Sequence, residues 1–279
     1  MSVLTMLSPR VPRRPAGAVR LSPRSAGALL VASAAGIAMF CWPLFVSVSG
    51  AGLAHGPDAP LFFVLIMPCL VGIVLAEISE GGIDSKALAM LGVLAAINAA
   101  LRPLGAGTAG IETVFFLLIL SGRIFGAGFG FLLGSTSLFA SALLTGGVGP
   151  WLPFQMLAAA WVGLGAGLLP RGVRGWRELA MLSGYGVLSA FFYGTIMNLW
   201  FWPFTTGLGT QLSYLPGGSL ATNLHRFFLY DVATSLGWDA GRAITNVVAI
   251  CLLGTAVLAT LRRASRKAAF DVPARFAGD

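Results

Sequence analysis

Apolar runs of helical length, separated by short polar, glycine-rich or proline-rich stretches, set the pattern of this chain. A helix needs about 20 apolar residues to cross a ~30 Å hydrocarbon core. On that scale the chain holds eight spans, at approximately 26–49, 60–76, 87–101, 111–124, 125–144, 152–169, 179–202 and 241–261. The third and fourth are short. Pro43 in the first and Pro68 in the second predict kinks, because proline removes a backbone donor and crowds the preceding turn. The expected fold is an all-α polytopic membrane protein.

The stretch 121–170 carries small residues at helical spacing. Gly122, Gly126, Gly130 and Gly134 recur every four residues, as do Ala159, Gly163 and Gly167. One face of each span therefore lacks side-chain bulk. Lipid gives little hydrophobic gain for bringing helices together, so a small face serves where another backbone approaches closely. The third span repeats the feature, with Leu88, Gly92, Ala96 and Ala100 in one row and Gly92, Ala95 and Ala99 beside it. Asn98 lies near this face, where an amide can hydrogen-bond across helices.

Composition points to the same medium. The chain of 279 residues is 57% hydrophobic and 10% charged, against roughly 25% charged for an ordinary soluble domain. Cys41, Cys69 and Cys251 all sit in apolar runs without paired spacing, so neither a zinc site nor a disulfide framework is expected. The net charge of +8 would fit nucleic acid if the basic residues lined a polar domain. They cluster instead at the ends of apolar spans, and no nucleic-acid partner is expected. With a cytoplasmic amino terminus, only Arg102, Arg226 and Arg242 fall outside, and the other basic residues fall in the inside segments. That asymmetry is what the positive-inside rule requires, and it makes both termini cytoplasmic.

Residues 1–25 read as a disordered basic arm at an anionic membrane face. The pair Arg13-Arg14 keeps a transit peptide or twin-arginine signal as the competing reading, while the long run that follows favours an uncleaved first helix. The acidic stretch EISEGGIDSK, 77–86, is either a seam between a two-helix hairpin and six later spans or an ordinary short loop. The division that follows is an arm 1–25, a hairpin with its linker 26–84, a core 85–263 and a cytoplasmic tail 264–279.

Candidate chemistry gathers at the outer loops. Arg102 and Glu112 stand at the two ends of a glycine-bearing loop, where ionisable groups mark a ligand contact, pair with each other, or face water. Trp151 is an interfacial anchor, or shares a helix face with Gln155 and offers an aromatic plane beside an amide to a small organic ligand. Asn198 and Trp202 lie at the end of the seventh span, in an aromatic belt with an interhelical hydrogen bond or in the wall of a site. The segment 205–239 is the large polar region outside, and its portion 220–239, with His225, Arg226 and Asp231, reads as an amphipathic helix or a re-entrant lid.

Several reaction classes lack their residues. His55 and His225 both fall in expected loops, no His-x-Glu or Cys-x-x-Cys pair is present, and neither Lys86 nor Lys267 follows a glycine as a Walker lysine would. Gly134-Ser135 invites comparison with rhomboid proteases, but no intramembrane histidine accompanies it. The spans as drawn also lack the chains of Asp, Glu or His that proton-driven carriers use. No catalysis, metal or cofactor is expected of the chain itself.

The run INAALRPLG, then FFLLILSGRIFGAGFGFLLGSTSLFASALLTGG, GPWLPFQMLAAAWVGLGAGLLP and YGTIMNLWFWP resembles the substrate-specific S components of energy-coupling-factor (ECF) transporters, closest to the cobalamin-type branch. The likeness covers roughly 85–263, and its most specific parts are the FG-x-x-x-G turn-helix and the PWLPFQM helix start. The resemblance implies a six-helix core that captures a vitamin or related micronutrient, cobalamin-like in the nearest branch, from outside a bacterial cell membrane. It also implies two kinds of partner, a transmembrane scaffold subunit and two cytoplasmic ATPase subunits that supply the energy. In that family an alanine-x-x-x-alanine face on the first core helix docks onto the scaffold. The matching positions here are Ala95 and Ala99, with Gly92 and Ala96 beside them. Two departures stand out: the extra hairpin 26–76 before the core, and Ala127 where relatives often carry proline.

The leading expectation is thus a micronutrient-binding subunit whose outward cavity uses Arg102, Glu112, Trp151, Gln155, Asn198 and Trp202, with 205–239 closing over it. A stand-alone membrane carrier is the alternative, and a membrane enzyme or assembly factor a third class.

Overall fold

The computed structural model describes residue 18 and residues 22–45, 85–105, 108–149, 151–204 and 210–268. The expected second span, 60–76, lies outside the described residues, as do nearly all of the basic arm, the acidic stretch 77–84 and the tail beyond 268. Among the described residues the secondary structure is helical, and five helices are long and apolar enough to cross a membrane. The chain is a multi-pass membrane protein by that measure.

Helix α1, Pro23–Phe40, starts at Ser22, whose hydroxyl accepts from the Ser25 backbone N–H at 3.1 Å. It was expected to run on to 49 with a kink at Pro43. The helix instead stops at Phe40, and a single turn, α2, Trp42–Phe45, restarts with Pro43 in its first positions. A proline lacks the N–H that would continue the ladder, but it suits the start of a new turn. Helix α1 packs on α6, Leu152–Leu168, and α7, Trp176–Phe201. Trp161 Nε1 donates to Ser33 Oγ at 2.9 Å, and the Phe40 ring meets Phe154 edge-on at 5.0 Å.

The core begins with α3, Ser85–Leu101, and a 3-10 turn at Arg102–Leu104. Helix α4, Val114–Phe125, is only 12 residues long, about 18 Å at the helical rise. All of its residues except Ile124 are buried, because α5 (Ala127–Thr145), α6 and α8 (Leu220–Ala268) surround it. A helix enclosed by protein does not need the length that contact with lipid imposes. Gly126, at φ 95°, ends α4 and turns the chain into α5, Ala127–Thr145, and Gly146 at φ 65° terminates α5 in a left-handed cap.

The small faces expected from sequence meet here. A Cβ on Gly130 would collide with the Gly163 carbonyl, one on Gly134 with the Ala159 carbonyl, and one on Gly167 with the Ala127 amide. Helices α5 and α6 therefore touch backbone to backbone along their length. Gly122 of α4 joins the same contact, because its Cβ would also strike the Gly163 carbonyl.

Helix α8, Leu220–Ala268, changes the picture most. The expected outer segment and the expected eighth span are one continuous helix of 49 residues, about 74 Å long. From Leu220 onward there is no re-entrant turn, and the first part of the segment, 205–209, lies outside the described residues. No proline follows Pro216 until Pro273, and a buried stripe continues unbroken across the join, through Phe227, Tyr230, Asp239, Asn246, Ile250 and Leu258. The stripe faces α7, which runs antiparallel to it. Gly254 lies against Leu179, Asn246 Nδ2 donates to the Gly186 carbonyl at 3.0 Å, and Arg242 Nη1 donates to the Ala190 carbonyl at 3.0 Å.

Candidate functional site

Charged and polar groups collect at two levels of the six-helix core α3–α8. Helix α4 sets their separation. Arg123 stands near its carboxyl end, and Glu112 stands just before its start, about 16 Å away along the axis.

At the first level, Arg123 is buried and its Nε donates to Glu178 Oε1 at 2.8 Å. Its two Nη groups reach the carbonyls of Leu169, Pro170, Arg171 and Val173, at 3.1, 2.8, 3.4 and 3.0 Å. Arg262 of α8 approaches the other oxygen of Glu178 in a short hydrogen bond. Arg123 is one of the basic residues that the charge asymmetry assigns to the inside segments. Its side chain is only 2% exposed, and it closes the end of α6 by satisfying carbonyls that no further helical turn can reach.

The second level sits about halfway along α7. Arg242 Nε donates to Glu112 Oε2 at 3.0 Å and Nη2 to Oε1 at 3.2 Å, while Nη1 reaches Asp239 Oδ1 at 2.6 Å. The guanidinium also lies over the rings of Tyr193, at 5.0 Å, and Phe115, at 5.7 Å. Ser235 donates to Asp239 Oδ2 at 3.1 Å, and Gly194 leaves the space that the Asp239 carboxylate fills. Two turns away along α8, Asp231 accepts from Asn198 Nδ2 at 2.7 Å and from Thr195 Oγ1 at 2.9 Å. Asp231, Ser235, Asp239, Arg242 and Asn246 thus form a polar file along the face of α8 that meets α7.

That file corrects the expectation that the deep parts of the spans carry no chain of acids. The sequence reading placed Asp231 and Asp239 in an outer loop and Arg242 at its edge. The spacing of four, four and three residues from Asp231 through Ser235 and Asp239 to Arg242 is the signal that could have found them, because it holds them on one helical face.

The six expected site residues do not form one cluster. Arg102 Nη2 donates to Gln155 Oε1 at 3.0 Å and Nη1 to Ser141 Oγ at 3.5 Å, so α3, α5 and α6 are joined there. Glu112 belongs to Arg242 and Asn198 to Asp231. Trp151 is exposed and donates to the Gly147 carbonyl of its own turn at 3.3 Å. Trp202 is fully buried, donates to the Leu212 carbonyl at 2.7 Å, and packs against Tyr214 and Phe227. It is a wall of a second apolar cluster rather than a side chain facing an aqueous opening.

The expected docking face divides in the same way. Ala95 and Ala99 are buried on the side of α3 that packs on α5, whereas Gly92 and Ala96 are exposed. The open row is Leu88, Gly92, Ala96 and Ala100. Helix α1 packs on α6 and α7 and does not cover that row.

No protein-family model, curated protein or solved structure matches the chain, and the likeness to S components therefore stands on the sequence runs quoted above.

Proposed function

We propose that the chain is the substrate-capturing membrane subunit of an ECF-type importer in a bacterial cell membrane, with both termini cytoplasmic. The observation that carries this reading is the placement of polar groups in the core. Arg102, Glu112, Gln155, Asn198, Asp239 and Arg242 come from five different core helices or the turns beside them, and all lie toward the end opposite Arg123, Glu178 and Arg262. Polar side chains that run from the middle of the bundle toward one end fit capture from that side, and the cluster at the other end, with two arginines to one acid, suits a cytoplasmic face. The ligand is a vitamin or related micronutrient. Energy comes from two ATPase partners through a membrane scaffold, which would dock on the exposed row Leu88, Gly92, Ala96 and Ala100.

Co-purification tests the assignment. The tagged chain, expressed in its native host and solubilised gently, should bring down a scaffold protein and two ATPases together with a retained small molecule. Recovery of the chain alone under several mild detergents would remove the importer reading.

One observation favours a second reading, a stand-alone carrier. Glu112 and Asp239 share one guanidinium, that of Arg242, and Asp231 is held only by the neutral donors Thr195 and Asn198, so the α4–α7–α8 packing holds three acids to one cation. Acids in excess at membrane depth are what ion-coupled carriers use. Substrate accumulation by the purified chain in liposomes, driven by a proton or sodium gradient alone, would establish that reading. Its absence alongside an ATPase complex would leave the importer.

A further inference from the structure

We propose that the seam joining α3, α5 and α6 binds the carboxylate group of a small organic molecule, with Arg102 as the ionic partner and Asn98 and Ser137 as the inner hydrogen-bonding groups. The inference rests on the capture reading and narrows it to a substrate class.

Arg102 is half-buried and joins the three helices through two neutral acceptors, Gln155 Oε1 at 3.0 Å and Ser141 Oγ at 3.5 Å. A guanidinium carries five N–H donors in a planar fork. Among the described residues no carboxylate lies within ion-pair distance of it, although the two other arginines buried in the core each hold at least one, Arg123 with Glu178 and Arg242 with Glu112 and Asp239. The charge of Arg102 is therefore unmatched at the place where three helices converge.

One turn deeper lie polar groups with nothing to bind. Asn98 precedes Arg102 by four residues and shares its face of α3, and Ser137 precedes Ser141 by four and shares its face of α5. The two helices run in the same direction and pack together, with Arg102 and Ser141 in contact at their outer ends. Asn98 and Ser137 are both fully buried, and neither amide atom of Asn98 nor the hydroxyl of Ser137 has a hydrogen-bond partner. Buried polar groups are nearly always satisfied, because leaving one bare in an apolar surrounding is costly. Three bare polar atoms beneath an unmatched cation are accounted for by a ligand that completes them.

The charge inventory selects the anion. A carboxylate matches the guanidinium fork and one positive charge. A phosphate dianion would bring a second negative charge, and Arg102 is the one cation in the contacts that join the seam.

The test uses the full-length protein in lipid nanodiscs, titrated with nicotinate, biotin and pantothenate, each against its own primary amide. At least one acid is expected to bind at least about tenfold tighter than its amide. Arg102→Gln should abolish that preference. Asn98→Leu should weaken the acid by a similar factor while the thermal midpoint holds or rises, because a partnerless amide gives way to apolar volume. Should Arg102→Gln fail to fold, Ser137→Ala provides the same comparison with almost no change in volume.

The proposal is overturned if no acid outbinds its amide, if the preference survives Arg102→Gln, or if Asn98→Leu lowers the midpoint and leaves affinity unchanged. A carboxylate preference in a chain that recruits no ATPases would keep the site and remove the importer reading. An ATPase-bound chain without the preference would do the reverse.

Discussion

Arg242 and Glu112, separated by 130 positions in sequence, face each other through two parallel hydrogen bonds of 3.0 and 3.2 Å. The pair fastens the loop before α4 to the middle of α8, and Asp239 and the Ala190 carbonyl occupy the third nitrogen. Glu112 is about one-third exposed, whereas Asp239 is buried with Arg242, so loss of the guanidinium is expected to cost about 3–5 kcal/mol through the uncompensated Asp239 carboxylate. Arg242→Met should therefore destabilise severely, and the double variant with Glu112→Gln should lose much less than the two single changes together. Thermal unfolding in detergent measures both. Additive losses would mean that the clamp is not a unit.

The contact between Gly130 and Gly163 makes a sharper stability prediction. Each glycine has the other's carbonyl where its Cβ would stand, so Gly130→Ala must push α5 and α6 apart. Overpacking of this kind costs about 1–3 kcal/mol even for small additions. Gly92→Ala on α3 meets open space and should be neutral. Comparing the two midpoints separates close packing from a general intolerance of alanine in these helices, and equal midpoints would contradict the packing account.

How far the sequence could be read depended on what each residue faces. The apolar period located α6 to within one residue, expected at 152–169 and found at Leu152–Leu168, and the glycine spacing named the faces by which α5 and α6 touch. The same hydropathy reading lost α8, because Asp231, Asp239 and Arg242 lower the apolar score of a segment whose polar side chains are turned inward and paired. Trp202 shows the converse. An indole near a helix end reads as interfacial, and only the fold reveals Tyr214 and Phe227 closing over it. Asn98 was visible as a polar residue in an apolar helix, but its lack of any partner is a property of three dimensions.

Arg123 carries the third prediction. Its side chain satisfies four carbonyls of the α6–α7 connection and the Glu178 carboxylate. Arg123→Lys keeps the charge but provides three donors on a point ammonium in place of a planar fork. It should lose stability by about 1–3 kcal/mol for carbonyls left bare. The connection 169–175 should then become cleavable by protease in the folded protein. Cleavage at the wild-type rate would show that Arg123 does not hold that connection closed.

The surface of α3 gives the last prediction, and it separates packing from docking within one helix. Ala95 and Ala99 face α5 and are buried, so a tryptophan at either position has no space and should abolish folded protein. Gly92 and Ala96 face outward in a row with Leu88 and Ala100, and nothing stands within 4 Å of a Cβ at Gly92. Gly92→Trp and Ala96→Trp should therefore leave the thermal midpoint and ligand binding of the isolated chain unchanged. A smooth face allows close approach only while it stays small, and an indole projecting from it holds any second helix several ångströms away. If the scaffold subunit docks there, either variant should lose co-purification of the ATPases while the chain remains folded and membrane-embedded. Retained ATPases in both variants would move the docking surface off this row of α3, because the small residues beside it, Ala95 and Ala99, are already buried in the bundle.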